Sequence, residues 1–179
     1  MREQVSGEGP VSKPDGQELT CSIIGSFRKH YAEVAILIET LEACHVHVLS
    51  PKRSSIVNPK EWFVRLQTDN PRFEPVEIQL IALHRILRSS FVYVLCPAGY
   101  IGKTTCYEIG RIHERGVPLY FSESPDDLPI AVTASAIINP ERIVQYLVQH
   151  KSPPPIVATE IPEHVRELQD RLKREEFVE

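Results

Sequence analysis

Short apolar runs alternate along this chain with longer amphipathic stretches, and that alternation restricts the possible folds more than any other feature. Residues 20–24 (TCSII), 46–49 (VHVL), 91–96 (FVYVLC) and 118–121 (PLYF) are apolar runs of strand length. Between them, residues 31–44 carry Val34, Ile38 and Leu41 at helical spacing, and residues 76–88 (VEIQLIALHRILR) read as a helix. Residues 104–115 read as a third helix, stopped by Gly116 where a left-handed residue is wanted. A fifth strand is expected at 136–138. A helix follows at 140–150, with Asn139 as its cap and Pro140 in its first position. Strands apolar on both faces belong in a parallel sheet covered on both sides. Right-handed crossovers then give a doubly wound, mostly parallel five-stranded α/β domain of the Rossmann or flavodoxin-like type.

Three segments follow from this pattern. Residues 1–18 are rich in Gly, Pro and charge and read as a flexible tail. Residues 19–151 form the α/β domain. Residues 152–179 hold a linker with Pro153, Pro154 and Pro155, then a helix over 162–177. Its apolar residues, Ile161, Val165, Leu168 and Leu172, form a narrow seam suited to one partner, either the chain's own sheet layer or a second copy. Related proteins of this fold are commonly oligomers, so a homodimer is expected, with this helix or the 76–88 helix in the contact. Within the domain, residues 52–75 are polar and dotted with proline, with 61–66 as a possible helical turn. A loop of that length points to function or to a lid.

Charge and composition exclude several classes. A net charge of −4 gives no broad basic surface, so no nucleic-acid partner is expected. No apolar run approaches the roughly 20 residues that span a bilayer, so no membrane partner is expected either. The N-terminal residues hold no apolar h-region, and the four cysteines, Cys21, Cys44, Cys96 and Cys106, form no C-x-x-C pair. Reduced thiols in a cytoplasmic protein are the expectation. His45 and His47 alternate on one strand with no third ligand nearby, so no metal is assigned.

Ligands of doubly wound sheets sit beyond the carboxyl ends of the strands. That rule selects three loops: Gly25-Ser26-Phe27-Arg28, Ser50-Pro51-Lys52-Arg53, and 97–104. The third, PAGYIGKT, resembles a triphosphate loop, but Pro97 stands where the first glycine belongs and cannot offer an N–H. It suits a monophosphate or a sugar better. Gly99 and Gly102 permit close backbone approach, and Thr104 offers a hydroxyl at a helix start. The first loop has the same character, with Gly25 to Phe27 amides, the Ser26 hydroxyl and the Arg28 cation as phosphate or hydroxyl contacts. Pro97 and Tyr100 complete the candidate substrate-binding set. Glu108 lies early in the helix after the third loop, where the helix macrodipole would keep it ionised.

The stretch FVYVLCPAGYIGKTTCYEIGRIHERGVPLYF, with IIGSFRKHYAEV and VLSPKRSSIV before it, resembles the nucleoside 2-deoxyribosyltransferase-like proteins. It is also similar to the deoxynucleoside monophosphate N-glycosidases. The likeness spans about residues 20–123. It implies a nucleoside or nucleotide ligand, no cofactor, and Glu108 as a nucleophile that attacks the anomeric carbon and forms a covalent glycosyl-enzyme. Cleavage and transfer of the base are both compatible with it. Family members commonly carry an aspartate just before the third strand, where this chain has Ser89-Ser90. That leaves Glu77, His84 and, from the long loop, Asp69 as sources of the proton for the leaving base, with Asp69 preferred as a lid acid. A nucleotide- or nucleotide-sugar-binding module without turnover is the alternative reading.

Overall fold

The computed structural model describes residues 18–61, 63–174 and 176. The expected tail, apart from Glu18, lies outside the described residues, and the last helix ends at Lys173, short of the expected 177, which is itself outside them. Four parallel strands, β1 (Thr20–Gly25), β2 (His47–Ser50), β3 (Phe91–Leu95) and β4 (Leu119–Phe121), lie in the order β2-β1-β3-β4. The helices are α1 (Phe27–Ala43), α2 (Pro75–Ile86), α3 (Lys103–Glu114), α4 (Pro140–His150) and α5 (Glu163–Lys173). Among the described residues no helix is long and apolar enough to cross a membrane.

The two-residue period of the strands sorts their side chains into two cores. Cys21, Ile23, Phe91, Tyr93, Leu95 and Tyr120 face α1 and α4, and meet Val34, Ile38, Leu41, Ile143 and Leu147. Ile24, Val92, Val94, Leu119 and Phe121 point the other way, toward Ile86 of α2 and Ile109 and Ile112 of α3. Each fully buried Ile or Leu contributes roughly 1.5–3 kcal/mol. Both faces are therefore needed, which is why the strands read as continuous apolar runs.

Local signals fix where the helices start. Glu74 and Glu77 form a capping box around Pro75, with the Glu74 N–H donating to Glu77 Oε2 at 2.7 Å. Asn139 Oδ1 accepts from the Arg142 N–H at 2.9 Å, one residue ahead of Pro140. Gly116, one residue beyond the Arg115 cap of α3, has φ of +66°.

Two expectations are corrected. The fifth strand shrinks to a single parallel bridge between Phe121 and Ile137, beside a 3-10 turn at Ala134–Ala136. Only Ile137 and Ile138 remain between that turn and the Asn139 cap, too few for a ladder. The described residues of the 61–66 segment are not helical. The described residues of the 51–74 loop fold back on themselves through an antiparallel bridge between Ile56 and Leu66. Asn58 holds the fold: its Oδ1 accepts from the Arg65 N–H at 2.6 Å and its Nδ2 donates to the Phe63 carbonyl at 2.7 Å.

The proline-rich segment after α4 lies against the domain. Tyr120 Oη donates to the Pro154 carbonyl, and Ile156 packs on the α1/α4 core. Glu160 Oε2 accepts from the Ser135 N–H at 2.9 Å, and the Val157 N–H donates to Ser135 Oγ at 2.8 Å. The helix α5 beyond it has no buried residue, and Leu172 is 73% exposed.

Gly25 ends β1 with φ of +154°, and a Cβ there would stand 2.4 Å from the Leu95 carbonyl oxygen. The clash is with backbone, so no rotamer relieves it. Gly25→Ala should lose roughly 2–4 kcal/mol of stability in a urea titration.

Candidate functional site

Strand order sets the place of the site. The chain runs from β1 outward to β2 and then returns past β1 to β3, so the turns leaving β1 and β3 diverge to opposite faces. A crevice opens between them at the carboxyl ends of the strands. A cavity of about 540 Å³ lies there, within the range of small-molecule sites.

Two helix N-termini open into it. Gly25, Ser26, Phe27 and Arg28 line it from the start of α1, and Gly102, Lys103, Thr104 and Thr105 from the start of α3. Neither Ser26 nor Gly102 caps its helix through a side chain, so the first amides of both helices are left for a ligand. The folded loop 51–74 supplies the roof, with Phe63, Leu66 and Phe73 as apolar surface and Asp69 and Asn70 as polar groups. Ile78, Gln79, Ala82 and Arg85 of α2 form one wall.

The sequence candidates divide into two groups. Gly25, Ser26, Phe27, Arg28, Gly102, Thr104, Asp69 and Glu108 all line the cavity. Pro97, Gly99 and Tyr100 are not among its lining residues. The amides of residues 98–100 are already engaged: Ala98 donates to Glu123 Oε2 at 3.1 Å, Gly99 to the Cys96 carbonyl at 3.0 Å, and Tyr100 to the Pro97 carbonyl at 3.3 Å. A loop whose amides bond inward cannot wrap a phosphate. Gly99, with φ of +72°, makes room for Asp126, whose carboxyl carbon would sit 2.7 Å from an added Cβ. Tyr100 is 42% exposed and lies beneath Lys29, with Nζ 3.5 Å from the ring centroid.

Glu108 is the sixth residue of α3 and only 8% exposed. The macrodipole argument fails for it, because that effect fades within the first turn. Burial dominates and raises its carboxyl to about 7, while a hydrogen bond from Gln79 Nε2 to Oε1 at 2.6 Å pulls the other way. Near neutral pH its protonated and ionised forms are both populated. Asp69 Oδ2 accepts from the Leu66 N–H at 2.8 Å, so one of its oxygens holds the roof loop in shape. Glu77 is occupied by the capping box, and His84 is exposed and outside the cavity lining.

Arg28, Lys52, Arg85 and Lys103 line the cavity against two carboxylates, Asp69 and Glu108. Among the described residues none of these four cations forms an ion pair. The cavity therefore favours an anionic ligand. No group of three or more His, Cys, Asp or Glu among the described residues is arranged to hold a metal. His47 Nδ1 lies 3.3 Å from Glu18 Oε1, and all four cysteines are free.

Gln79 and Arg85 are the residues that sequence reasoning missed. The signal was present but faint. Both lie on the face of the 76–88 helix that carries Ile78 and Ala82, a polar interruption of an apolar stripe. No protein-family model matches the chain, and no curated protein or solved structure is significantly similar to it.

The raised carboxyl of Glu108 has a stability consequence. An unfolded chain ionises Glu108 near the ordinary 4.5, whereas the folded chain holds the proton up to about 7. The folded state is thus favoured most below 4.5, loses stability relative to the unfolded chain as pH rises to about 7, and loses no more above that. Glu108→Gln removes this penalty. Its stability should match the wild type near pH 4 and exceed it at pH 8 by on the order of 2 kcal/mol, as read from denaturant midpoints across that range.

Proposed function

We propose that the cavity binds a (deoxy)nucleoside or its monophosphate, and that Glu108 attacks the anomeric carbon to break the N-glycosidic bond. The observation that carries this reading is a buried carboxylate in a crevice where two helix N-termini and four cations converge. The resemblance of residues 20–123 to nucleoside 2-deoxyribosyltransferase-like proteins and monophosphate N-glycosidases supports it. The charge balance favours the monophosphate over the free nucleoside: Arg28, beside the α1 amides, suits a phosphate. The aromatic roof, Phe63 and Phe73, suits a planar base.

In this scheme the Glu108 oxygen bonds to the anomeric carbon as the carbon–nitrogen bond breaks, and the electron pair leaves on the base. A water held by the free oxygen of Asp69 delivers the proton the base takes up, and solvent replaces it. Water or a second base then resolves the glycosyl-enzyme. The second reading is a nucleotide- or nucleotide-sugar-binding module. It is favoured by the tie between Asp69 and the Leu66 amide, which reduces the freedom of the only other acid among the described residues that line the cavity.

Chromatography of deoxynucleosides and deoxynucleoside monophosphates incubated with the protein separates the two. Free base is expected, faster from monophosphates, with a rate that rises to a plateau above pH about 7 as Glu108 ionises. Glu108→Gln should lose several orders of magnitude in rate, each tenfold step being about 1.4 kcal/mol of barrier. Ligand-induced thermal stabilisation without base release would favour the binding module instead.

A homodimer belongs to the same proposal. Leu80 on α2 is 56% exposed, near the exposed Val76, and Leu168 and Leu172 lie exposed on α5. Light scattering should return twice the 20.4 kDa chain mass at tens of micromolar. Leu168→Glu with Leu172→Glu should return the single-chain mass if α5 makes the contact.

A further inference from the structure

We infer that Gln79 is the positioning residue of Glu108, holding Oε1 with its side-chain amide so that Oε2 is the oxygen that bonds to the anomeric carbon. This rests on the proposed role of Glu108 and assigns a division of labour between its two oxygens.

The geometry is specific. Gln79 Nε2 lies 2.6 Å from Glu108 Oε1, and it is the one hydrogen-bond partner the Glu108 side chain has among the described residues. Both side chains line the cavity, one from α2 and one from α3, and these helices cover the same face of the sheet. Neither helix is free to drift: the Glu74–Glu77 box fixes the start of α2, and the buried Ile109 and Ile112 anchor α3. The charged groups that share the cavity are Arg28 from α1, Lys52 after β2, Arg85 on α2, Lys103 on α3 and Asp69 in the roof loop. None of the four cations pairs with Glu108. A neutral amide is the suitable partner for a nucleophile, because it orients the carboxylate without the tight ion pair that would blunt its attack.

The bond changes give Gln79 unequal weight in the two steps. In the first, Oε2 bonds to the anomeric carbon, the carbon–nitrogen bond breaks, and its electron pair and one proton end on the base. The carboxylate loses its charge, so the Gln79 hydrogen bond weakens. In the second, a water oxygen bonds to the anomeric carbon, the carbon–Oε2 bond breaks with its pair returning to Glu108, and the water gives up a proton to solvent. Charge returns to the carboxylate and the Gln79 hydrogen bond strengthens. Loss of Gln79 therefore slows the second step more than the first.

Gln79→Leu and Gln79→Met, both close to glutamine in size, test this in the full-length protein, with circular dichroism as the check on folding. With carboxyl-labelled glutamate and Glu108→Gln for assignment, NMR should find the Glu108 titration moved up from about 7 by roughly one pH unit in either folded variant. An unmoved titration in the folded variants overturns the inference whether or not any base is released, so its failure is distinct from failure of the glycosidic reading. Where base is released from a deoxynucleoside monophosphate, intact-protein mass spectrometry of quenched reactions above pH 8 should find a glycosyl-enzyme fraction several-fold larger in Gln79→Leu than in wild type. A variant slowed in turnover with no rise in that adduct also overturns it.

Discussion

The parallel ladder between β1 and β3 is the constraint on which everything else depends. Its register runs from Cys21 against Phe91 to Gly25 against Leu95. A slip of one residue would turn Ile23 and Tyr93 to the wrong face and exchange the two cores. The same ladder is where the chain reverses its direction across the sheet, so the crevice opens directly above it. Gly25 is the price of that arrangement: the strand must end against the Leu95 carbonyl at a distance that admits no side chain. Fold and site are thus fixed by one set of hydrogen bonds.

Within the crevice, magnitudes decide the state of Glu108. A helix N-terminus supplies about 0.3–1 kcal/mol, and only within its first turn. Burial of a carboxylate costs several times more. The Gln79 hydrogen bond recovers part of the difference but not all of it, and the group stays poised near 7 rather than near 4.5. A buried carboxyl whose proton is held to about 7 inside a cavity marks a candidate functional group.

Strand existence, helix positions and the sheet class were legible because hydrophobic period and caps are local: Asn139-Pro140 marks α4 to the residue. The fifth strand was not, because its fate turned on how few residues separate the Ala134–Ala136 turn from that cap. Glu108 was legible from its place after β3, but its protonation was not, since burial is a property of packed α2, α3 and roof together. Pro97, Gly99 and Tyr100 looked like ligand contacts because glycine marks close approach without saying what approaches. At Gly99 it is the side chain of Asp126. Gln79 joins the site through a contact across 29 positions of sequence, which periodicity cannot foresee.

The anchoring of Pro154, Ile156 and Glu160 onto the domain bears on how the chain matures during synthesis. The face covered by α2 and α3 has all its helices once residue 114 has been made. The opposite face begins with α1, the first of the described helices to be made, yet it lacks Ile143, Leu147 and Ile156 until residue 156 has been made. Of the described helices, α1 thus waits longest for its neighbours, and the Tyr120–Pro154 hydrogen bond waits for residue 154. During synthesis, the half-covered sheet with α1 alone on one side is the species exposed to chaperones, and the arrival of residues 140–156 is what closes it.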